Sequence, residues 1–485
     1  MKFSGLWGRG RRARAQQRSG AAASAPAKAL LRRIQARYDA AATTDASRRH
    51  WANADGLSAD AAASPAVRRV LRNRARYECA NNSYARGMIS TLAGDVVGTG
   101  PRLQMLTDNS AANRDVERRW DRWAASIDLA AKLRTMRAAR AESGECFGLL
   151  AVNPRRLSPS PVQLDLRLIE ADQVATPTPH LRTDPRVIDG IVYDGAGNPV
   201  EYHLLRNHPG DVRLSSMPLD YRRIPARQVV HYFRADRPGQ SRGIPEITPA
   251  LPLFAQVRRY TLAVIAAAET AADLAGVLYT DAPPDDEAAT AIEPMDAIEI
   301  EQRMLLTMPG GWKMAQLKAE QPATTYAEFQ KQILNEIARC LNMPFNVAAG
   351  NSSGYNYASG RLDHQTYDRA IRIDQAELQQ QVLDRLLDAW LDEAVLVTGF
   401  LPQSMRRADA NRAHTWIWAG RDHVDPAKEA SAQTARLSNR TTSLAREYAR
   451  QGLDWETELL QIAREREYMR SIGLTIDDDP ELHRG

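Results

Sequence analysis

The longest uninterrupted helical pattern in the chain constrains its fold more than any other feature. It follows Pro245 and reads "EITPALPLFAQVRRYTLAVIAAAETAADLA", with apolar residues at helical spacing from Ile247 through Phe254 to Ile265. A helix of about 30 residues would be about 45 Å long. Its second half is rich in alanine, which allows neighbouring helices to approach closely. The sequence therefore predicts an elongated element that packs against other helices.

The composition indicates a folded protein with more than one domain. The chain has 485 residues, of which 44% are hydrophobic and 25% charged. No apolar run is long enough for a membrane span and the N-terminus lacks the apolar core of a signal peptide, so we expect a cytosolic protein without a membrane partner. The cysteines Cys79, Cys146 and Cys340 are far apart, which argues against disulfides and a zinc site.

The first 38 residues form a basic segment rich in alanine, serine and glycine. The first acidic residue is Asp39, whereas basic residues crowd the start of the chain, among them Lys2, Arg9, Arg11, Arg12, Arg14 and Arg18. This composition predicts a disordered tail over 1–38. Two interpretations stay open: a solvated tail, or transient contact with nucleic acid or an acidic partner.

The region up to residue 245 combines helical and strand patterns. One helical pattern runs from Pro65 toward Gly98, and further helical stretches follow, in which Trp120 and Trp123 are expected to be core residues. Short β runs occupy 145–152, 162–170, 187–194, 199–206 and 226–233, and "DGAGNP" at 194–199 predicts a hairpin between the third and fourth. The pattern indicates one α+β domain with an antiparallel sheet.

The second half of the chain alternates long helices with irregular segments. An acidic, proline-interrupted segment, 277–322, follows the long helix and ends in short β-like runs. A second helix begins at Thr325, where Glu328 completes a T-x-x-E capping box. A neutral segment rich in Gly, Asn and Ser, 343–360, precedes a third long helix with Gly399 as its expected C-cap. Short capped helices close the chain.

Two short motifs raise the question of an enzyme. Residues 239–243 match the G-x-S-x-G pattern of hydrolase nucleophile elbows, with Ser241 in the nucleophile position. That elbow needs a strand directly before the turn and a helix directly after it, whereas prolines flank this stretch. His364 and Asp368 share a helical face, a spacing that is common on polar helix surfaces. We therefore expect Ser241 to be a loop residue, with no catalytic site, metal or cofactor.

Several short sequences occur in a distinctive order along the chain. They are "RYDAA" (37–41), "NNSYARGMISTLAGDVVGTG" (81–100), "GECFGLL" (144–150), "LIEADQV" (168–174), "RPGQSRGIPEITPAL" (237–251), "NYASGR" (356–361), "DPAKEASA" (425–432) and "DWETELLQIAREREYMRSIGL" (454–474). Together with the order of the predicted elements, this set resembles the portal proteins of tailed bacteriophages, specifically the lambda-type portal family. The resemblance spans nearly the whole chain.

The resemblance implies an α+β fold of the portal type, with an α+β wing, long stem helices, a small β-containing clip and an α-helical crown. The implied segments are the wing (39–245), the first stem helix (246–276), the clip (277–322), the second stem helix (323–342), the tunnel loop (343–360), a long helix that returns to the wing (361–424) and the crown (425–485). Gly239 and Gly243 would supply permissive backbone where the chain turns from wing to stem.

The resemblance also implies a structural protein with no enzymatic activity and no cofactor. Its subunits would form a homo-oligomeric ring, usually a dodecamer in this family, at the portal vertex of the capsid in the virion, after assembly in the host bacterial cytoplasm. Double-stranded DNA would pass through the channel during packaging and ejection. The implied partners are the terminase large subunit, the major capsid and scaffold proteins and the head-tail connector proteins. The alternative is a phage-encoded hydrolase or nuclease that uses Ser241, or His364 with Asp368.

Two groups of residues are the predicted contact sites. The tunnel loop is expected to offer DNA weak, exchangeable hydrogen bonds, because phosphate contacts by lysine or arginine would oppose movement; its residues are Asn346, Asn351, Ser352, Ser353, Tyr355, Asn356 and Tyr357. The clip is expected to dock terminase or adaptor proteins by charge; its acidic residues are Asp285, Asp286, Glu287, Glu293, Asp296, Glu299 and Glu301. The respective alternatives are a buried inter-helix connection and a solvated acidic loop.

Overall fold

The computed structural model describes residues 45–154, 160–176, 184–211, 220–272, 276–280, 312–316, 326–407, 410–420 and 426–474. The basic segment 1–38 lies outside these residues. The chain divides into two compact units, 1–58 and 59–485. In the first unit, helix α1 covers Asp45–Arg48. Among the described residues, no helix is both long enough and apolar enough to span a membrane.

Helices form the first part of the second unit. They are α2 (Ala59–Ala62), α3 (Pro65–Asn81), α4 (Ser83–Val97), α5 (Ser110–Ser126) and α6 (Leu129–Ser143). The continuous helical pattern predicted from Pro65 is interrupted at Asn82. The side-chain oxygen of Asn82 accepts hydrogen bonds from the N–H groups of Tyr84 and Ala85 and so caps α4. Gly98, with φ 57°, ends α4 as predicted.

The strands that follow pair antiparallel in two sheets. They are β2 (Glu145–Val152), β3 (Leu164–Ile169), β4 (Val187–Ile188), β5 (Ile191–Tyr193), β6 (Pro199–Leu205), β7 (Tyr221–Pro225) and β8 (Val229–Phe233), preceded by β1 (Arg102–Met105). One sheet has the order β3-β2-β8 and the other β4-β5-β6-β7. Every predicted β run contains a strand, whereas the sequence pattern did not predict β1 and β7. The predicted hairpin at 194–199 joins β5 to β6, with Asp194 accepting from the N–H groups of Ala196 and Asn198.

Tryptophans tie these helices to the rest of the core. Trp120 and Trp123 of α5 are 1% and 0% exposed, and the ring of Trp120 lies 5.6 Å from Trp390 and 5.5 Å from Trp416 between centroids. The indole N–H of Trp123 donates to the carbonyl of Leu164 at 2.9 Å, so the buried polar atom is satisfied. Both α5 tryptophans are core residues, as the sequence predicts.

The second half contains two long helices, α7 (Leu251–Ala272) and α8 (Tyr326–Arg339), which we call the stem pair. Between them in sequence lie the strands β9 (Gly276–Thr280) and β10 (Trp312–Gln316). The ring of Tyr260 on α7 stacks on Tyr326 and contacts Phe329, and the Thr261 hydroxyl lies 3.0 Å from that of Tyr326. From there α8 runs back toward the 3₁₀ turn Thr248–Ala250 that precedes α7, so the helices are antiparallel. The described α7 has 22 residues and is about 33 Å long, shorter than predicted.

A long helical rod completes the core. After α9 (Phe345–Ala349), helix α10 (Tyr357–Leu378) continues through a π-helical turn, Gln379–Leu383, into α11 (Asp384–Leu396). The predicted apolar face is confirmed, since all of its residues are buried: Leu378, Val382, Leu386, Trp390 and Ala394. The predicted C-cap is wrong, because Val397 caps α11 and Gly399 (φ 76°) lies in the following turn.

The C-terminal elements are β11 (His414–Ile417), which pairs with β1, and the helices α12 (Pro426–Ser438), α13 (Leu444–Arg450) and α14 (Trp455–Ser471). The Asp454 side chain caps α14, as predicted, and accepts a further bond from the amide of Gln104 at 2.8 Å. Gly420 lies so close to Gln451 that an added Cβ would clash with its backbone. These contacts attach the C-terminal helices to the β1 region.

A half-buried carboxyl lies near this attachment. Glu117 of α5 accepts a hydrogen bond from the Met105 N–H at 2.7 Å. The negative charges of Asp454, Glu456 and Asp121 disfavour the ionised form of Glu117. Burial is the main reason that the pKa of Glu117 rises to about 7; the Met105 bond opposes the shift and the three carboxylates add to it. A carboxyl with a raised pKa contributes stability at acid pH that is lost as the pH rises through about 7.

Glu117→Gln should therefore gain stability relative to the natural protein as the pH rises. Glutamine keeps an acceptor for Met105 and cannot ionise, so the Tm difference should move in favour of the variant between about pH 5 and about pH 8. Thermal unfolding across this range checks the prediction. Asp115→Asn is the control, because hydrogen bonds from Arg119 and Arg118 lower the pKa of Asp115 despite some burial, so its effect should be constant. A constant Tm difference for Glu117→Gln would contradict the prediction.

Candidate functional site

The connection from β8 to α7 contains the G-x-S-x-G motif. The backbone N–H and the hydroxyl of Ser241 each donate to the Asp60 carboxylate at 2.8 Å. Strand β8 ends at Phe233 and the first helical turn begins at Thr248, so neither element flanks the serine directly. Ser241 is a loop residue, as the sequence predicts, and its bonds to Asp60 tie the connection to α2. The strand and the helix that a nucleophile elbow needs do not flank it.

The two glycines of the motif have different roles. Gly239 has φ 77°, a left-handed conformation, and a Cβ added there would meet no atom within 4 Å. At Gly243 an added Cβ would clash with the Gly144 carbonyl group, lying 2.6 Å from its carbon, and the backbone is not left-handed. The prediction of permissive backbone is confirmed at Gly239 and wrong at Gly243, which is needed for space.

Between these glycines and the sheet lies a buried ion pair. The guanidinium of Arg242 donates to both carboxylate oxygens of Glu145, the first residue of β2, at 2.7 to 3.0 Å. The same carboxylate accepts the Gly243 N–H at 3.0 Å and lies 2.9 Å from the His231 ring nitrogen. Burial opposes its ionisation, but Arg242 and His231 hold the pKa of Glu145 well below its ordinary value. The connection is therefore fixed to the sheet through a charged, fully bonded centre.

A second network holds the start of the stem. Glu246 accepts from Arg137 at 2.9 Å and from Arg140 at 2.8 Å, both on α6. The same arginines donate to Asp374 of α10 at 2.6 and 2.8 Å, and Arg140 also reaches Glu377 at 2.6 Å. Burial opposes the charge of Glu246, yet the two guanidiniums lower its pKa to about 2. One network of ion pairs therefore joins the segment that precedes α7 to helices α6 and α10.

The segment 343–360 contains more regular structure than predicted. Its residues Phe345–Ala349 form α9, which packs on α4 and α8, and α10 begins at Tyr357. Gly350, with φ 62°, ends α9. What remains irregular includes an exposed tip, residues 351–354, held by turns such as the Ser353 N–H donating to the Asn351 side chain at 2.9 Å. The expectation of a segment without secondary structure is wrong.

The residues predicted to contact DNA differ in how exposed they are. Asn351, Ser352, Ser353 and Asn356 are exposed, whereas Asn346 and Tyr355 are half-buried. The Asn356 side chain caps α10 by accepting the Ser359 N–H at 2.9 Å, and Tyr357 is the first residue of that helix. The tip is therefore exposed to solvent, and residues on either side of it anchor it to the neighbouring helices.

Tyr355 and Asn346 fasten the segment to α10. Burial raises the pKa of the Tyr355 hydroxyl, and the nearby carboxylate of Asp363 on α10 raises it further. The Asn346 amide lies 3.0 Å from Nε2 of His364, and Asp368 is one turn further along the helix. His364 therefore has a partner in the amide of Asn346, and this contact ties the start of α9 to α10.

One cluster has the composition of a metal site. Ligand atoms of Glu170, Asp172 and His208 all lie within 4.8 Å of one another. Both carboxylates already contact Arg76, at 3.2 and 2.8 Å. The Gly210 N–H donates to Nδ1 of His208, so the proton of the neutral ring lies on Nε2, where a metal would need a lone pair. These contacts describe an ion-pair cluster.

Comparison with known protein families decides the class of the protein. The family described as phage portal protein, lambda family, matches residues 44–375, which is more than half of the chain. The chain belongs to the lambda family of phage portal proteins. Members of this family are structural components of the virion and not enzymes, so the hydrolase and nuclease alternative is wrong.

One relative, from another phage, agrees with this assignment. The chain is 27% identical over 318 residues to a protein named as a portal protein in Halomonas phage phiHAP-1, covering 64% of this chain and 61% of the relative. It thus spans less than two thirds of that relative's length. Among solved structures, it resembles chains from the neck of an empty gene transfer agent particle computed with C6 symmetry (16% identity, TM-score 0.43, 78% of this chain and 92% of that one) and of a native particle computed with C12 symmetry (15%, 0.41, 80% and 94%). TM-scores below 0.5 do not establish a common fold.

The acidic residues predicted to dock portal partners lie outside the described residues. They are Asp285, Asp286, Glu287, Glu293, Asp296, Glu299 and Glu301. Next to this gap β9 and β10 pair antiparallel, with Gly276 opposite Gln316 and Thr280 opposite Trp312. The strand content predicted for the end of this segment is confirmed by β10.

The buried charges of this portal subunit were not found by sequence reasoning. Arg242 follows Ser241 in the G-x-S-x-G motif, where only the serine is a candidate nucleophile, and Glu145 is the first residue of the apolar strand β2. A lone carboxylate at the head of a buried strand is a usable signal, because it needs a cationic partner elsewhere in the chain. Which arginine supplies that partner is set by the fold.

Gly243→Ala should destabilise the portal subunit more than Gly239→Ala. The new methyl group must displace the Gly144 backbone, which we expect to cost about 3 kcal/mol or more, while Gly239→Ala adds strain of about 1 kcal/mol in open space. Ser241→Ala, which leaves the backbone bond to Asp60 intact, should cost less than Gly243→Ala. Urea unfolding of the three variants measures the order. Equal costs for both glycines would contradict the role of space at Gly243.

Proposed function

We propose that this portal subunit forms a homo-oligomeric ring whose central channel conducts double-stranded DNA during packaging and ejection at one capsid vertex. Membership of the portal family supports the class of function. The observation that carries the ring is the distal half of α7, which exposes the apolar side chains of Leu262 and Ile265. A second copy of the chain is the partner that such a surface fits.

The burial of α7 changes along its length. Leu251, Phe254 and Val257 are buried in the core. Beyond Tyr260, no residue of α7 with described burial is buried, and Leu262 and Ile265 are 57% and 48% exposed. An isolated subunit would leave these side chains in water, so a neighbouring stem helix that covers them stabilises the assembly.

The tip 351–354 is the proposed contact with DNA. It is exposed, and α9, α10 and the contacts of Tyr355 and Asn346 hold it beside α8. Its amides and hydroxyls can exchange hydrogen bonds with a moving duplex without a fixed grip.

The remaining partners follow from the same proposal. The acidic clip, 277–322, docks the terminase large subunit during packaging, through carboxylates that attract a basic surface. Head-tail connector proteins bind later, and the major capsid and scaffold proteins surround the ring at the vertex. Assembly takes place in the host bacterial cytoplasm.

A double substitution Leu262→Lys with Ile265→Lys should prevent ring formation without unfolding the subunit. Lysines at both positions would place like charges between neighbouring stems. Circular dichroism should be unchanged, while analytical ultracentrifugation and negative-stain microscopy should no longer detect rings. Leu396→Lys is the control, since Leu396 on α11 is 82% exposed and lies outside the stem. Normal rings from the double variant would contradict the proposed interface.

Replacing Asn351, Ser352 and Ser353 by glycines should leave rings and capsids normal and reduce the DNA retained in full heads several-fold. The change removes the polar groups of the tip while α9 and α10 remain. DNA per capsid, measured after packaging, gives the result. The same replacement at the exposed turn 439–441 is the control. Natural levels of packaging and retention in the tip variant would exclude the tip from the channel's working surface.

A further inference from the structure

A lysine from α8 lies against the exposed tip. The Lys331 ammonium is 5.6 Å from the ring centroid of Phe345, and a Cβ added at Gly354 would lie 3.3 Å from it. A cavity of about 280 Å³ separates α8 from the tip, and Lys331, Asn351 and Ser353 are among its lining residues. The segment is uncharged until Arg361 in sequence, but the fold places a cation beside it.

The charge of Lys331 is available. The side chain is exposed, and no ion pair joins Lys331 to another residue in the described parts of the chain. The aromatic face of Phe345 attracts the ammonium and keeps it near the tip, where a fully solvated lysine would sample many positions. Glu328, one turn earlier on α8, lines the same cavity and is the acidic group facing it.

We propose that Lys331 binds a backbone phosphate of the double-stranded DNA in the channel, with the amide of Asn351 and the hydroxyl of Ser353 beside it. The proposal rests on the proposed channel and deepens it, because it names the group that meets the phosphate. An ammonium and neutral hydrogen-bonding groups at one cavity are the chemistry by which proteins contact DNA backbone without reading sequence.

Glu328 explains how such a contact can permit movement. A carboxylate in the same cavity offsets part of the lysine's attraction for phosphate, so each site holds the duplex less strongly than an isolated lysine would. A ring repeats the site once per subunit, and the duplex then meets equivalent sites that are individually weak. A phosphate can leave one of them as another phosphate arrives at the next.

The test measures DNA binding by assembled rings of the full-length protein over a series of NaCl concentrations. Lys331→Gln should weaken binding of a short linear duplex and reduce the slope of log affinity against log salt by about 0.9 for each phosphate that the variant no longer neutralises. Glu328→Gln should have the opposite effect and tighten binding, because it removes the offsetting carboxylate. If these exposed residues had only a structural role, the two substitutions would not change DNA affinity in opposite directions.

Two further variants complete the experiment. Lys331→Arg keeps the charge and should give the natural salt slope. The control Lys132→Gln removes a lysine of α6 that pairs with Asp165 of β3, and it should leave DNA binding unchanged. Normal-sized Lys331→Gln rings that bind DNA with the natural slope would overturn the phosphate contact and leave the proposed channel standing. Rings of the natural protein that bind no DNA at any salt concentration would contradict both.

Discussion

The ion pair between Arg242 and Glu145 is the interaction on which the arrangement of sheet and stem depends. Each charge is almost fully buried, and a buried charge without its partner is strongly unfavourable. The pair therefore fixes the connection before α7 against the first residue of β2. The backbone contact between Gly144 and Gly243 has the same effect, since the two chains pass too closely for any side chain there. The ion pair and the close approach involve adjacent residues on both segments, so the two contacts hold the connection against the sheet at the same place.

Four residues further on, Glu246 extends this constraint to the helices. Its carboxylate joins Arg137 and Arg140 of α6, and those arginines also bind Asp374 on α10. A pKa of about 2 for Glu246 means that its carboxylate stays charged throughout the physiological range. The base of the stem and the rod that carries the tip at its N-terminal end are thus held by the same two arginines.

The sequence predicted the elements whose signals are local. The β runs, the hairpin at 194–199, the Asp454 cap and the buried face from Leu378 to Ala394 depend on neighbouring residues, and the structure has them. It missed one local signal, the Asn82 cap that divides a continuous helical pattern. It also failed where the answer is tertiary, since Gly243 is a glycine because of the distant Gly144. The neutral tip is a similar case, since its nearest cation comes from α8.

Exposed apolar surface on the subunit connects its stability to assembly. Helices α12 and α14 have no buried residue, and Leu459, Leu460 and Tyr468 of α14 are 37%, 44% and 66% exposed. Helices of this length gain little from propensity alone and need a packed face. The distal half of α7 is in the same condition. In the proposed ring, neighbouring copies would cover these faces. Ring formation would then add to the free energy of unfolding of each subunit, and the stability of the protein would depend on its concentration.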